Sequence, residues 1–238
     1  EGKNDNYDEF ILSNAAQDLG LVMGCSIFAA WGNHTKNREL IMGRNLDHSN
    51  FASFTKYQYL AFYNPVNGNK FVTLNYPSYI GIMQGMNEKG LAIGMTYSMT
   101  KDEELSIDGL PYTIMLRKIL QYADNLDEAI NIIKETPRTV GLNIGIASAS
   151  DQKAVVVECS ANRLFIREKN NYIYATNHFR SEYMKQFQAG GWMSSDSRDK
   201  RFEELLKKYK GDLDYINAVN IMRDKYSPNS LSGKGYVG

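Results

Sequence analysis

Six short apolar segments separated by turn signals fill residues 25–99, and they restrict the possible folds more than any other feature of the sequence. The segments are CSIFAAW, ELIMGRNL, TKYQYLAFY, FVTLNY, YIGIMQGMN and GLAIGMTYSM. Connections as short as Asn67-Gly68 and Asn87-Glu88-Lys89-Gly90 are typical of hairpins between neighbouring strands. The pattern therefore predicts a mostly antiparallel sheet arrangement.

Helices and strands occur in separate blocks along the rest of the chain. The predicted helices cover residues 7–20, 111–124, 126–136, 197–209 and 213–225, and the later predicted strands cover 141–150, 153–160, 163–168 and 172–178. This order favours an α+β fold. Two stacked antiparallel sheets between helical layers would accommodate all of these elements.

The charge balance argues against nucleic acid as a partner, and the lengths of the apolar runs argue against a membrane span. Lys and Arg together number 27, as do Asp and Glu, so the formal net charge is zero. A balanced surface gives no electrostatic case for binding nucleic acid. No apolar run reaches the roughly 18 to 20 residues that span a bilayer. The first residue is Glu1 rather than methionine, which is slightly more typical of an exported bacterial protein than of a cytoplasmic one.

The sequence contains only two cysteines, Cys25 and Cys159. Two cysteines are not a disulfide framework in a chain of this size, although one bridge is compatible with the sequence. Neither has a second cysteine at zinc-binding spacing, and there is no HExxH segment or phosphate-binding glycine loop. We therefore expect no metal or organic cofactor.

Cys25 directly follows Gly24 at the predicted start of the first strand. Cleavage of the Gly24–Cys25 bond would give the thiol its own α-amino group as a base, with a pKa of about 8. Gly24 leaves the scissile peptide sterically open. Residues 1–24 then form a leader and residues 25–238 the mature domain. The alternatives are a structural cysteine in the core and an ordinary N-terminal helix over residues 7–20.

Four other residues provide candidate groups for a site around such a cysteine. Arg44 and Asp47 close the second predicted strand, where a cation would favour the thiolate and a carboxylate would orient the freed ammonium. Asn177, at the end of a later strand, supplies a neutral amide donor for an oxyanion. Arg198 is predicted in the first turn of a helix, where it opposes the helix dipole. A surface ion pair or a turn residue would explain each of them equally well alone.

Five short segments occur in an order that resembles the choloylglycine hydrolase and penicillin acyltransferase superfamily of N-terminal nucleophile hydrolases. They are Cys25, GRNLD at 43–47, MNEKGLAI at 86–93, ATNH at 175–178 and SSDSR at 194–198. The resemblance implies a four-layer αββα sandwich that cleaves linear amides. It also implies that Cys25 is the nucleophile, with Arg44 and Asp47 beside it, Asn177 in the oxyanion hole and Arg198 as a supporting residue.

The sequence departs from this family pattern in three places. A leader before Gly24-Cys25 is typical of the penicillin acyltransferase side and not of bile-salt hydrolases. Tyr97 occupies the position where bile-salt hydrolases place an oxyanion asparagine, so the second donor is either a backbone N–H or the Tyr97 hydroxyl. The family continues with closing strands after its last helix, so the end at Gly238 fits either a truncation or an unusual tail.

We therefore predict an autoprocessed amidase that forms an acyl-enzyme on Cys25 and releases the acyl group to water or to another amine. Aromatic and methionine side chains near the predicted site favour an apolar acyl group; they are Tyr57, Tyr59, Phe62, Tyr79, Met83 and Met95. A homo-oligomer is compatible with the sequence. The alternatives are a cysteine peptidase that pairs Cys25 with His178 or His48, and a non-catalytic β-rich binding domain.

Overall fold

The computed structural model describes residues 23–48, 56–77, 79–190 and 193–225. Predictions for the helix over 7–20, for most of the leader and for the tail after residue 225 lie outside these residues. The described strands are β1 (Met23–Ala30), β2 (Ile41–His48), β3 (Tyr59–Tyr63), β4 (Phe71–Asn75), β5 (Gln84–Asn87), β6 (Leu91–Tyr97), β7 (Leu142–Ser148), β8 (Lys153–Cys159), β9 (Leu164–Arg167) and β10 (Tyr172–Ala175). The described helices are α1 (Tyr112–Tyr122), α2 (Leu126–Glu135), α3 (Glu182–Lys185), α4 (Met193–Lys208) and α5 (Tyr215–Met222).

The strands form two antiparallel sheets, which confirms the predicted α+β sandwich. One sheet has the order β10-β1-β2, and the other runs from β3 to β9 in sequence order. Helices α1 and α2 cover one face of the larger sheet, whose other face packs against β1 and β10. Helices α4 and α5 cover the outer face of the smaller sheet. The layers therefore follow the order helix, sheet, sheet, helix.

Each pair of layers encloses its own apolar cluster. Between the two sheets lie Ile27, Ala29, Val156 and Ile173, together with smaller side chains. The alternating residue of β1, Phe28, points the other way and packs with residues of α4 and α5. This alternation follows from the two-residue period of a strand. It makes β1 a central strand that is buried on both faces.

Two paired glycines allow β1 to approach the larger sheet closely. Gly94 on β6 lies opposite Gly145 on β7. A Cβ atom added at Gly94 would lie 2.9 Å from Ile27 Cδ1, and one at Gly145 would lie 2.6 Å from the same atom. A side chain at either position would occupy the space of the Ile27 side chain, so these glycines leave room for Ile27 between the two sheets.

Several predicted boundaries were wrong. Strand β1 begins at Met23 rather than at Cys25, because its pairing with β2 extends to His48. Residues 79–83 are not a strand, because the Asn75 amide binds the carbonyls of Tyr79 and Gly81 and turns the chain under α1. Helix α4 begins at Met193 rather than at Ser197, so Arg198 lies beyond the first turn.

Candidate active site

Cys25 lies within β1, between β2 and β10, and its side chain is fully buried. It pairs with Leu46 on β2 and belongs to the same core cluster as Met95 on β6. Alternation places its neighbour Ser26 on the opposite face, toward α4. Since Gly24 and Cys25 are consecutive strand residues, the peptide bond between them lies in regular strand backbone.

Arg44 brings a positive charge to the sulfur atom. It pairs with Ile27 across β1 and β2, on the face that Cys25 shares. Its Nη2 atom lies 3.6 Å from Cys25 Sγ, while Nη1 donates to Gln84 Oε1 at 2.7 Å and Nε to the Met95 carbonyl at 3.2 Å. These contacts hold the planar guanidinium on three sides, so its direction toward the thiol is fixed.

Asp47 lies on the opposite face of β2 from Arg44 and pairs with Gly24. A Cβ atom at Gly24 would lie 3.2 Å from Asp47 Cβ and 3.3 Å from its Oδ2 atom. Burial raises the pKa of this carboxyl group, while Arg198 and Arg44 lower it. The carboxyl group of Asp47 therefore lies next to Gly24, on the N-terminal side of Cys25.

Asn177 contacts the backbone nitrogen of Cys25. Its Oδ1 atom accepts from the Cys25 N–H at 2.8 Å and from Arg198 Nη2 at 2.7 Å. Its Nδ2 atom donates to the Tyr97 carbonyl at 2.8 Å. Both ends of the amide are therefore engaged while the chain is continuous, and the nitrogen that cleavage would free already has an acceptor.

Arg198 extends from α4 to the outer side of β1. Its Nη1 atom donates to the Cys25 carbonyl and, at 3.0 Å, to Ser26 Oγ. Burial lowers the pKa of its guanidinium, whereas Asp47 and Cys25 raise it. Arginine is the side chain best able to serve several acceptors at once from a buried position. Arg198 therefore binds both the Cys25 carbonyl and the Ser26 hydroxyl from the outer face of β1.

Tyr97, at the end of β6, contributes its backbone. A hydrogen bond from the backbone of Tyr97 lowers the pKa of the Cys25 thiol, and the Tyr97 carbonyl accepts from Asn177. The backbone N–H of Tyr97 therefore lies next to the sulfur.

The pKa of the Cys25 thiol is raised above its ordinary value in the continuous chain. Burial raises the pKa of Cys25; Arg44 lowers it, Asp47 raises it and Arg198 lowers it again. Desolvation is the largest of these effects. Arg44 and Arg198 oppose the effect of burial, and the net shift of the thiol pKa is upward.

The structure brings the five predicted site residues together around Gly24-Cys25. Sequence reasoning missed Gln84, which holds Arg44, and Ser195, whose Oγ atom accepts from the Asn177 backbone N–H at 2.7 Å. Ser195 lies within the SSDSR segment, so the motif itself was a signal. Nothing in the sequence distinguishes Gln84 from any other strand residue.

Of the two predicted histidine partners, His178 faces other groups than the thiol. His178 Nδ1 lies 2.7 Å from Ser195 Oγ, and its Nε2 atom is 3.8 Å from Asp199 Oδ1 on α4. Strand β2 includes His48, whose side chain is outside the described part of the structure. No group of three His, Cys, Asp or Glu residues in the described ranges is placed to hold a metal ion.

The two cysteines are free and buried, so no disulfide joins them.

Of the aromatic and methionine residues predicted near the site, Met95 contacts Arg44, whose Nη2 atom lies 3.6 Å from the thioether sulfur. Tyr79 and Met83 lie in the core, whereas Tyr57, Tyr59 and Phe62 are exposed. No helix among the described residues is long and apolar enough to span a membrane.

A family model described as acyl-coenzyme A:6-aminopenicillanic acid acyl-transferase matches residues 33–236. The chain belongs to this family. The match covers most of the sequence and includes Arg44, Asp47, Asn177 and Arg198. It begins after Cys25, so it leaves the nucleophile itself to be argued from the contacts described above.

Relatives of this family member include two curated proteins. An uncharacterized protein from Archaeoglobus fulgidus is 26% identical over 185 residues, which are 70% of this chain and 31% of that protein. Protein dcd1B from Dictyostelium discoideum is 33% identical over 141 residues, which are 57% of this chain and 27% of that protein. The alignments thus span less than a third of these relatives.

Two solved structures share the fold. The Caenorhabditis elegans ortholog of N-acylethanolamine-hydrolyzing acid amidase superposes with a TM-score of 0.64 at 18% identity, over 87% of this chain and 89% of that one. A mutant of conjugated bile acid hydrolase from Clostridium perfringens gives 0.53 at 16% identity, over 89% and 83%. These likenesses confirm the N-terminal nucleophile hydrolase fold that the ordered segments predicted.

Proposed function

We propose that this protein is an autoprocessed cysteine amidase that cleaves the C–N bond of a linear acyl amide through an acyl-enzyme on Cys25. One observation carries the proposal. The backbone nitrogen of Cys25, which cleavage would convert into an α-amino group, lies 2.8 Å from Asn177 Oδ1, while the thiol of the same residue faces Arg44. Nucleophile and prospective base are thus held by separate polar partners.

Maturation begins with attack of the Cys25 sulfur on the carbonyl carbon of Gly24. The C–S bond forms, the C–N bond breaks and the nitrogen takes the thiol proton. A thioester now joins Gly24 to Cys25. Water hydrolyses it to a Gly24 carboxylate and a free thiol, which leaves Cys25 as the first residue. A side chain at Gly24 would press on the neighbouring carboxyl group of Asp47.

Turnover uses the same groups on an external amide. The neutral α-amine, with an ordinary pKa of about 8, takes the thiol proton as sulfur attacks the substrate carbonyl. The resulting ammonium adds a positive charge beside the sulfur and gives its proton to the leaving amine. Asn177 and the Tyr97 backbone N–H stabilise the oxyanion, an effect worth about 3 kcal/mol per donor. The amine then activates water to release the acid.

The supporting residues keep distinct tasks in this scheme. Arg44 favours the thiolate, Asp47 accepts a hydrogen bond from the ammonium and Arg198 fixes the carbonyl of Cys25 from the outer face of β1.

A cysteine–histidine peptidase is less well supported, because both ring nitrogens of His178 face Ser195 and Asp199. A non-catalytic domain would have no need of a partly buried arginine at the thiol and a buried arginine behind it.

Substrates of this chain are proposed to carry an apolar acyl group in amide linkage. The names of the two structural neighbours describe hydrolysis of N-acylethanolamines and of conjugated bile acids, which are acyl amides. The matching family is described as an acyl-transferase, so transfer to a second amine is an alternative fate of the same acyl-enzyme.

A mass-spectrometric search for the acyl-enzyme tests the proposal. The purified protein is incubated with conjugated bile acids, penicillin V, N-acyl amino acids and acylethanolamides, then quenched in acid and digested. We expect the acyl mass on the peptide that begins with Cys25, together with free acid, and an amide product when a second amine is added. An acyl adduct on Cys159 or on a serine would overturn the assignment of the nucleophile.

A further inference from the structure

Asn143 binds the backbone on both sides of Asn177. It lies on β7, fully buried, opposite Thr96 of β6. Its Nδ2 atom is 3.0 Å from the carbonyl oxygen of Thr176 and 3.3 Å from that of His178. The segment between those carbonyls has no regular secondary structure, so side-chain contacts decide where Asn177 lies.

The chemistry of its neighbours fixes the orientation of the Asn143 amide. A backbone carbonyl can only accept a hydrogen bond, so the amide must turn its NH₂ group, and not its oxygen, toward Thr176 and His178. Its Oδ1 atom is then buried, and it has no hydrogen-bond partner among the described residues. A buried unsatisfied acceptor costs stability, which marks a residue kept for another purpose.

We propose that Asn143 is a positioning residue for Asn177: by holding the two flanking carbonyls it keeps the Asn177 amide at the Cys25 nitrogen. This inference rests on the function proposed above. Two other buried side chains complete the support, because Ser195 accepts from the Asn177 N–H and Glu158 accepts from the N–H groups of Arg180 and Ser181. Of these three side chains, Asn143 binds carbonyls on both sides of Asn177.

Asn87 provides a matched control on the same sheet. It is also a buried strand asparagine, and its Nδ2 atom donates to the carbonyls of Leu120 and Ala123 at 3.0 and 2.8 Å. Its Oδ1 atom accepts from the backbone N–H groups of Lys89 and Leu91. It ties the end of α1 to a turn, and its hydrogen bonds within the described ranges involve no residue of the Cys25 site. An effect on folding alone should therefore appear in both variants.

The test compares Asn143→Ala with Asn87→Ala, each corrected for its folded fraction. We expect Asn143→Ala to lower kcat and the rate of Gly24–Cys25 cleavage on the order of tenfold to a hundredfold, because misplacing a group by about 1 Å costs that much. KM should change less than about twofold, and Asn87→Ala should leave both rates near wild type. Equal kinetic losses in the two variants would overturn the proposal.

A second variant separates the donors from the shape of the side chain. Asn143→Asp keeps the size but offers at most one proton to the two carbonyls, so we expect it to resemble Asn143→Ala in kcat. Wild-type kcat in Asn143→Asp would show that the paired donors are not needed, which contradicts the proposal.

A direct structural readout distinguishes failure of this inference from failure of the proposed function. The side-chain amide of Asn177 is followed by NMR in uncut Cys25→Ala protein, with and without Asn143→Asp. We expect its signals to shift or broaden when Asn143 is replaced. If they stay unchanged, the positioning inference is wrong even for an active enzyme. If they change while the wild type neither cuts nor turns over, only the proposed function fails.

Discussion

The two cysteines of this chain share a residue type and a degree of burial but little else. Cys25 and Cys159 are both fully buried, and burial raises the pKa of both thiols. For Cys159 the pKa reaches about 12. Cys159 is the last residue of β8 in the larger sheet, where it lies between Leu142 of β7 and Leu164 of β9. Cys25 lies in β1, the middle strand of the smaller sheet.

The charged groups around the two thiols differ. Arg138 is the cation near Cys159, and it is engaged by the carbonyls of Ile133 and Ser160. Around Cys25, Arg44 lies at the sulfur and Arg198 holds the backbone behind it. Burial alone makes a cysteine inert, so a buried thiol becomes a nucleophile only where cations and a nearby base oppose desolvation.

Replacing each thiol in turn gives the largest expected contrast. Cys25→Ala should abolish cleavage and lower amide turnover more than about a thousandfold, because loss of a nucleophile removes the covalent path. Cys159→Ala should keep the turnover of its folded fraction within about twofold. Both are measured as initial rates at equal folded concentration. Full activity in Cys25→Ala would move the nucleophile elsewhere.

Arg198→Lys should give the next largest effect. A lysine has one nitrogen and cannot reach the Cys25 carbonyl, Ser26 and Asn177 together, so we expect kcat to fall by about a hundredfold. Arg201→Lys is the control, because Arg201 lies on the same helix but pairs with Glu204 and Asp224. Similar losses of kcat in the two variants would show that any arginine replacement on α4 lowers activity, which would contradict a specific role for Arg198.

Gly24→Ala should slow maturation about tenfold, since the new methyl group would press on Asp47 at the scissile bond. The cleavage rate is followed by intact mass. Once the bond is cut, Gly24 leaves with the segment before Cys25, so turnover by the matured Gly24→Ala enzyme should equal that of the wild type. A changed kcat after complete cleavage would mean that Gly24 acts in some other way.

The smallest expected effect concerns Cys159 and alkaline pH. Its pKa is raised from 9.0 to about 12, so the folded state keeps a proton that the unfolded state loses. This contribution to stability is complete below pH 9 and falls by about 1.4 kcal/mol per pH unit above it. Urea unfolding between pH 9 and pH 11 should show a shallower decline for Cys159→Ala than for the wild type. Parallel declines would contradict the raised pKa.

Much of the sandwich could be predicted from the sequence because its strands are short, apolar and joined by recognisable turns. The predictions failed where tertiary contacts override local pattern. Residues 79–83 are as apolar as a strand, but the amide of Asn75 folds them under α1. The pairing of Met23 with His48 moved the start of β1.

The predicted site residues were found through their order along the chain, and the structure places them in contact. Arg44 and Asp47 are three residues apart, so the two-residue period of a strand places them on opposite sides of β2, at the sulfur and next to Gly24. Gln84 and Asn143 carry no sequence signal, because a polar strand residue acquires its role only from what the second sheet brings against it.

The N-terminal sequence of the active protein tests the central claim most directly. Purified protein that contains Gly24-Cys25 is incubated, and its intact mass, N-terminal residues and amide hydrolysis are followed together. The account predicts that a fragment beginning at Cys25 appears in step with activity and does not appear in Cys25→Ala. Full amide hydrolysis by protein whose Gly24–Cys25 bond is still intact would contradict it.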